Sequence, residues 1–255
     1  MSVVETSVAD GVGRVILNRP EQMNAITVEL GAELQSAIRA VGNSPDVNVL
    51  VIRGSGGNFC AGGDFKEVER LRAAGRGELR TLFSNFAAAC REISSVPVPV
   101  VAVVEGVAMA GGFELMQAAD IAIAHDEARI ADNHIRFGQI PGGGSTQRLS
   151  RLVGRQKALG LLLSGDRLSG IDAHRIGLAY ASFSSDDFES RIAEFVSTMA
   201  GRDRGALLAI KQLVLDGIRM ELDEGLEMEL DAVVSHIGAE AGHSGVERFN
   251  TRKKA

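Results

Sequence analysis

Val98-Pro99-Val100-Val101-Ala102-Val103-Val104-Glu105-Gly106 runs into Val107-Ala108-Met109-Ala110-Gly111-Gly112-Phe113-Glu114-Leu115, and the way this stretch turns decides the fold. The run Val98 to Val104 is rich in β-branched residues and reads as a buried strand. Glycines stop it, and a segment of helical character follows. Such a junction leaves several backbone N–H groups without intrahelical partners, and the helix dipole adds partial positive charge there. The chain does the same earlier: Val47 to Ile52 reads as a strand, and Phe59-Cys60-Ala61-Gly62-Gly63-Asp64 leads into a helix. One such junction is a generic anion cradle, and its glycines most often serve tight packing. Two on one chain could converge on a single oxygen, as an oxyanion hole does. Glu114 lies one helical turn past Gly111 and would face the same cavity. A first-turn carboxylate can simply complement the dipole. Here its neighbours Phe113, Leu115 and Met116 are apolar, and a buried acid without a role is uncommon.

Working outward, Val12 to Leu17 reads as a strand closed by Asn18-Arg19-Pro20. Thr27 is placed to cap a helix running to about Val41, with Leu30, Leu34, Ala37, Ile38 and Val41 at helical spacing. Phe65 to Ile93 is helical apart from Ala73-Ala74-Gly75-Arg76-Gly77, which reads as a mobile loop beside the site. Ile121 to Ala124 is a short strand. After Pro141, Gly142-Gly143-Gly144-Ser145-Thr146 enters another helix, with Ser145 or Thr146 near its cap. From Glu189 helices dominate, through Ile210-Lys211-Gln212 and Leu222 to Ile237, and a basic tail follows. No repeat of solenoid period is visible. The rhythm of two strands and a helix, followed by a helical end, predicts an α/β core with a helical appendage.

Composition narrows the function. The 255 residues are 45% hydrophobic and 24% charged, enough for a sizeable core in one medium domain. Trp is absent and Gly reaches 30 residues, so the core is aliphatic with many close backbone approaches. A net charge of −6 argues against nucleic acid as a partner. The N-terminus shows no basic and apolar leader. The most apolar stretch, Val96 to Gly112, is broken by Pro97, Pro99, Glu105 and Gly106 and is unsuited to membrane insertion. Cys60 and Cys90 lack C-x-x-C spacing, which suits a reducing cytoplasm. The five histidines show no metal-ligand spacing. The Gly142 to Thr146 run lacks the Gly-Lys-Ser/Thr ending of a P-loop, and neither G-x-G-x-x-G nor G-x-S-x-G occurs.

The motifs together resemble the enoyl-CoA hydratase/isomerase, or crotonase, family over nearly the whole chain. The matching stretches are Leu17-Asn18-Arg19-Pro20 through Asn24-Ala25, Phe59 to Lys66, Val98 to Asp120, Gly138-Gln139-Ile140-Pro141-Gly142 to Gln147-Arg148-Leu149, Ala173 to Gly177, and the tail from Gly245-Val246-Glu247-Arg248-Phe249-Asn250. The resemblance implies an α/β fold, a crotonase-like spiral of ββα units over 1–199. A helical C-terminal region, 200–255, would build homo-trimers or hexamers. It implies an acyl-CoA substrate and no separate cofactor, since CoA enters as part of the thioester. It assigns the oxyanion hole to Gly63 and Gly111, and substrate binding also to Ala61, Asp64, Phe65 and Lys66. Asn24, Ala25 and Ile26 correspond to the strip that flanks the nucleotide. Lys66 could meet a CoA phosphate as a point charge or sit on a solvated helix face.

One departure stands out. The family's hydratases carry a second glutamate seven residues before the proline that opens the glycine run, and counting back from Pro141 lands on His134. Glu114 matches the first glutamate. His134 is then either a polar wall residue or the second acid/base, a role imidazole can fill by accepting or donating. Asp132 takes that place if the alignment shifts by two. The expected activity is hydration of a 2-enoyl-CoA by Glu114 and His134. The alternatives are isomerisation, other acyl-CoA chemistry such as hydrolysis, decarboxylation or C–C cleavage, and a catalytically silent acyl-CoA-binding homologue.

Overall fold

Strands β1 (Val4–Ala9) and β2 (Val12–Leu17) pair antiparallel around Asp10 and Gly11, both at positive φ (52° and 75°), as a tight two-residue hairpin requires. They belong to a computed structural model that describes residues 2–238. From β2 onward every neighbour in the sheet is parallel. Beside β2 lie β3 (Val49–Gly54), β4 (Val100–Val104), β6 (Ile121–His125) and β8 (Ala181–Phe183), in the order β1-β2-β3-β4-β6-β8. A parallel sheet is covered on both faces, and all of β4 is buried.

A second, smaller layer holds β5 (Val107–Met109) parallel to β7 (Arg129–Ala131). Cys60 bridges to Ala108 and Gly63 to Ile26 beside it. The chain therefore leaves the large sheet at the end of β4 or β6 and enters the small one. From β5 it turns into a helix, α4 (Gly111–Ala118). This is the strand-strand-helix unit that the sequence predicts.

Period-2 burial splits the core. Leu50, Ile52 and Val100 face α1 (Val28–Gly42) and α3 (Arg76–Ser95), with Leu30, Leu34, Ile38, Phe86 and Ile93. Val49, Val51, Val101, Val103 and Ile123 face α8 (Phe188–Ala200), with Phe188, Ile192 and Val196. Thr27 caps α1 as predicted, its hydroxyl accepting from the Leu30 N–H at 3.1 Å.

Four boundaries differ from the sequence reading. β3 starts at Val49 because the Val47 N–H bonds back to Ser44 O in a turn. β4 starts at Val100 because Pro97 and Pro99 have no N–H for a ladder. The loop expected over 73–77 is a break at one residue, Gly75 (φ +121°), between α2 (Phe65–Ala74) and α3. Ser145 opens α5 (Ser145–Val153) but does not cap it; Gly144 stands at the cap.

The remaining helices are α6 (Arg155–Ser164), α7 (Gly170–Arg175), α9 (Arg204–Gly217) and α10 (Leu222–Gly238). α9 is pinned to the core by Lys211, which is 8% exposed. Its ammonium lies 2.8 Å from Asp120 Oδ2 and donates to Ile93 O and Val98 O, each at 2.9 Å. Burial pulls the lysine down and pushes the aspartate up, and each partner's charge opposes the other's shift. Among the described residues no helix is long and apolar enough to cross a membrane. The stretch from Gly245 to Asn250 lies outside the described residues.

Candidate active site

The first glycine junction is held open by its neighbours. Ile26 N–H donates to Gly62 O at 2.7 Å and Asp64 N–H donates to Ile26 O at 2.9 Å. Backbone N–H groups of successive residues point to opposite sides of an extended chain, so the Gly63 N–H faces away from Ile26. At the second junction Gly111 is the first residue of α4, where an N–H has no intrahelical acceptor. Among the described residues neither N–H donates to a protein group. The two junctions touch. A Cβ on Gly62 would lie 2.9 Å from Met109 O and 3.3 Å from the Gly111 nitrogen. Ala110, between β5 and α4, takes φ 47° and ψ −113°, a strained conformation for a residue with a Cβ.

Gly63 and Gly111 line a cavity of about 580 Å³ together with Glu114 and His134. Its other walls are largely apolar: Ile26, Val68, Leu79, Leu82, Phe83 and Phe86, with Phe65, Phe137 and Ile140 toward the mouth. Phe65 and Phe137 stack edge to face at 5.2 Å. A larger cavity, about 740 Å³, opens around Lys211 and Arg148 beside α9, but holds neither Glu114 nor His134.

Glu114 is 2% exposed. Its Oε1 accepts three backbone N–H groups, from Gly143 (2.6 Å), Gly144 (2.7 Å) and Ser145 (3.1 Å), at the start of α5. The Arg148 guanidinium braces the same loop by donating to Gly143 O at 2.6 Å. Oε2 makes none of these bonds and lies 4.0 Å from His134 Nε2. Burial pushes the carboxyl above its usual range. The Ser145 N–H and the His134 ring pull against that rise without cancelling it.

His134 opens a short 3-10 turn, His134–Phe137, just after β7. Its Nδ1 lies 2.7 Å from Asp132 Oδ1, and Asp132 is 1% exposed. Burial lowers the imidazole's affinity for a proton. The hydrogen bond and charge of Asp132, with the charge of Glu114, outweigh burial, and the ring titrates above its ordinary value.

Of the residues the sequence nominates, Gly63, Gly111, Glu114, His134, Ile26, Ala61 and Phe65 come together around the cavity. Asn24, Ala25, Asp64 and Lys66 do not line it. The Asn24 amide is fully buried, accepting from the Arg19 N–H and donating to Ser55 O and Asn58 O. Asp64 caps α2 and pairs with Arg19 at 2.9 Å. Lys66 is exposed on the first turn of α2. The sequence reading missed the N–H clamp of residues 143–145 and the Asp132–His134 pair. Three glycines before a helix are a signal for the first; an acid two residues before the histidine is only a faint one for the second. Among the described residues no three His, Cys, Asp or Glu side chains gather as a metal ion would need.

The enoyl-CoA hydratase/isomerase family model matches residues 7–255. A mitochondrial enoyl-CoA hydratase of Pongo abelii is 31% identical over 245 residues, covering 96% of this chain and 82% of that protein. The crystal structure of an enoyl-CoA hydratase from Bacillus anthracis superposes with a TM-score of 0.92 at 29% identity, covering 98% of this chain and 96% of that one. An enoyl-CoA hydratase from a Polaromonas species gives 0.92 at 28% identity, covering 98% and 97%.

Proposed function

The chain belongs to the enoyl-CoA hydratase/isomerase family, and from that premise we propose that it adds water across the double bond of a 2-enoyl-CoA. The observation that carries this reading is the 4.0 Å gap between Glu114 Oε2 and His134 Nε2, in a cavity also lined by Gly63 and Gly111. That separation is too long for a hydrogen bond and suits one intervening oxygen.

The thioester oxygen would accept from the Gly63 and Gly111 N–H groups, which stabilise the enolate-like charge as it develops. Glu114 is ionised for the attack. Its Oε2 takes a proton from water as the water oxygen bonds to Cβ. His134, charged through Asp132, gives the Nε2 proton to Cα. Return of the proton from Glu114 to His134 resets the pair, so one water is consumed and a 3-hydroxyacyl-CoA leaves. The apolar walls favour an apolar acyl group. No cofactor is needed beyond the CoA the substrate carries.

We also infer a trimer or hexamer. α9, its C-cap Ile218 and α10 present Ile210, Val214, Ile218, Leu222, Leu230 and Ile237 between 54% and 75% exposed, more apolar surface than a solvated appendage shows. Two free, buried cysteines agree with a cytoplasmic location. Incubation with crotonyl-CoA tests the activity: loss of the conjugated absorbance is expected. A product that keeps the elements of substrate without added water would identify an isomerase, and no turnover of any enoyl-CoA would overturn the hydratase reading in favour of other acyl-CoA chemistry or a silent binder.

A further inference from the structure

We propose that Asp132 is the positioning residue of the acid/base couple: it holds the Nδ1 hydrogen of His134, fixes Nε2 as the nitrogen that faces Glu114, and supplies the charge that balances the ring. This deepens the hydratase reading and rests on it for its kinetic consequences alone.

The geometry is specific. Asp132 directly follows β7, whose last residue, Ala131, accepts from the Ala110 N–H at 3.0 Å. The backbone that carries Asp132 is thus tied to the backbone that opens α4. Asp132 Oδ1 is 2.7 Å from Nδ1 of the ring and 3.4 Å from the His134 backbone nitrogen. One oxygen therefore holds both the ring and the main chain of His134. Asp132 Oδ2 is buried and has no hydrogen-bond partner among the described residues. A carboxylate in that position is costly unless a cation is close. The cation at hand is the His134 ring. From the other side the charged group facing the ring is Glu114, on α4. Arg136, on the same turn as His134, is directed to Asp166 at 4.0 Å.

A carboxylate that accepts from Nδ1–H leaves Nε2 as the nitrogen that exchanges its proton. Glu114 sits opposite that nitrogen. The alternative role for Asp132 is purely local, capping the turn through the 3.4 Å backbone contact. Asp132→Asn separates the two, because the amide oxygen still accepts but the charge is gone.

The test follows the ring directly. Protein labelled with 15N-histidine is titrated without substrate from about pH 5 to about pH 9, and the His134 nitrogens are read by long-range 1H–15N correlation. In the parent, Nδ1 is expected to stay protonated while Nε2 titrates with a midpoint above the ordinary ~6.5. In Asp132→Asn the midpoint falls below the parent's. On a turned-over enoyl-CoA, kcat falls on the order of a hundredfold with KM little changed, and the alkaline limb moves to lower pH. An unchanged midpoint and tautomer in Asp132→Asn overturns the proposal. Should that variant not fold, the parent alone decides: a neutral ring protonated on Nε2 is fatal. If no enoyl-CoA is turned over while the spectra behave as expected, the hydratase reading fails and the role of Asp132 stands.

Discussion

Glu114 is bound by three N–H groups at one oxygen and is still raised by burial, so its ionised form strains the fold at neutral pH. The sign is definite. A carboxyl with a raised folded pKa contributes stability that is complete below its ordinary range and lost as pH rises through the raised value. Glu114→Gln keeps an oxygen for the three donors and removes the charge. It should therefore abolish turnover yet melt higher than the parent near neutral pH, an advantage that disappears in acid. Each kcal/mol gained would appear as about 2–4 °C in calorimetry. His134 carries the opposite consequence for rate. Its proton-donating form is lost as pH rises through a value above the ordinary imidazole range, so the parent should show an alkaline limb there. His134→Gln should flatten that limb; superimposable profiles at equal rates would reduce the histidine to a wall. At this scale the sequence was legible where chemistry is written in residue type. Two glycines, a buried acid and an unexpected histidine marked positions that line the cavity. Asn24 lies outside the cavity lining, and its fully bonded buried amide serves the loop around it. The Asp132–His134 pair was hidden because spacing of two says nothing about ring direction in a 3-10 turn.

Elements meet here through backbone, and the contacts differ in how far they can give. A Cβ on Gly112 would lie 2.0 Å from Cys60 O, a main-chain atom of the other junction. A Cβ on Gly111 would lie 2.4 Å from Ile26 Cδ1, the far end of a flexible side chain. Gly112→Ala should therefore be the more damaging, forcing the junctions apart at about 1–3 kcal/mol or more. Chemical denaturation of the two variants checks the order, and equal losses would contradict it. Gly111→Pro should remove the donor at a site where Ile26 Cδ1 must give way to the ring, and in the folded variant lower turnover on the order of a hundredfold or more. Strand identities could be read from short β-branched runs, because both sheet faces are buried, and helix α1 from the helical spacing of its apolar positions. Their ends could not, since they depend on Pro97, Pro99 and a turn at Ser44 that break ladders without changing the apolar pattern.

Across the molecule, α9 is joined to the core by the Lys211–Asp120 ion pair, by the Arg204 guanidinium, which donates to Val47 O and Ser44 O, and by Leu208. Lys211→Met leaves Asp120 charged without its cation, held only by the Val100 N–H, a loss of about 3–5 kcal/mol where such a pair is broken from one side. Unfolding midpoints measure it, and Lys211→Met with Asp120→Leu should recover part of the loss. The apolar strip on α9 and α10 should be covered in solution, giving a trimer or hexamer in sedimentation; a monomer at every concentration would refute that. The α/β core with its helical appendage could be inferred from the strand-strand-helix rhythm, and the spiral of ββα units from the family resemblance. The sheet order, and the approach of residues 143–145 to Glu114, could not. They arise from long-range register, which no local pattern encodes.

The division of labour between the glycine junctions and the turn at 134–137 bears on how this protein could acquire new activities. The donors at 63 and 111 are main-chain groups, so most single-codon changes elsewhere leave them intact. The side chain opposite Glu114 opens a turn whose other residues, 135–137, are exposed. A gene library randomised only at 134–140 would inherit the charge-stabilising half of the machine unchanged and sample different fates for the enolate. Laboratory evolution from this scaffold should begin in that segment.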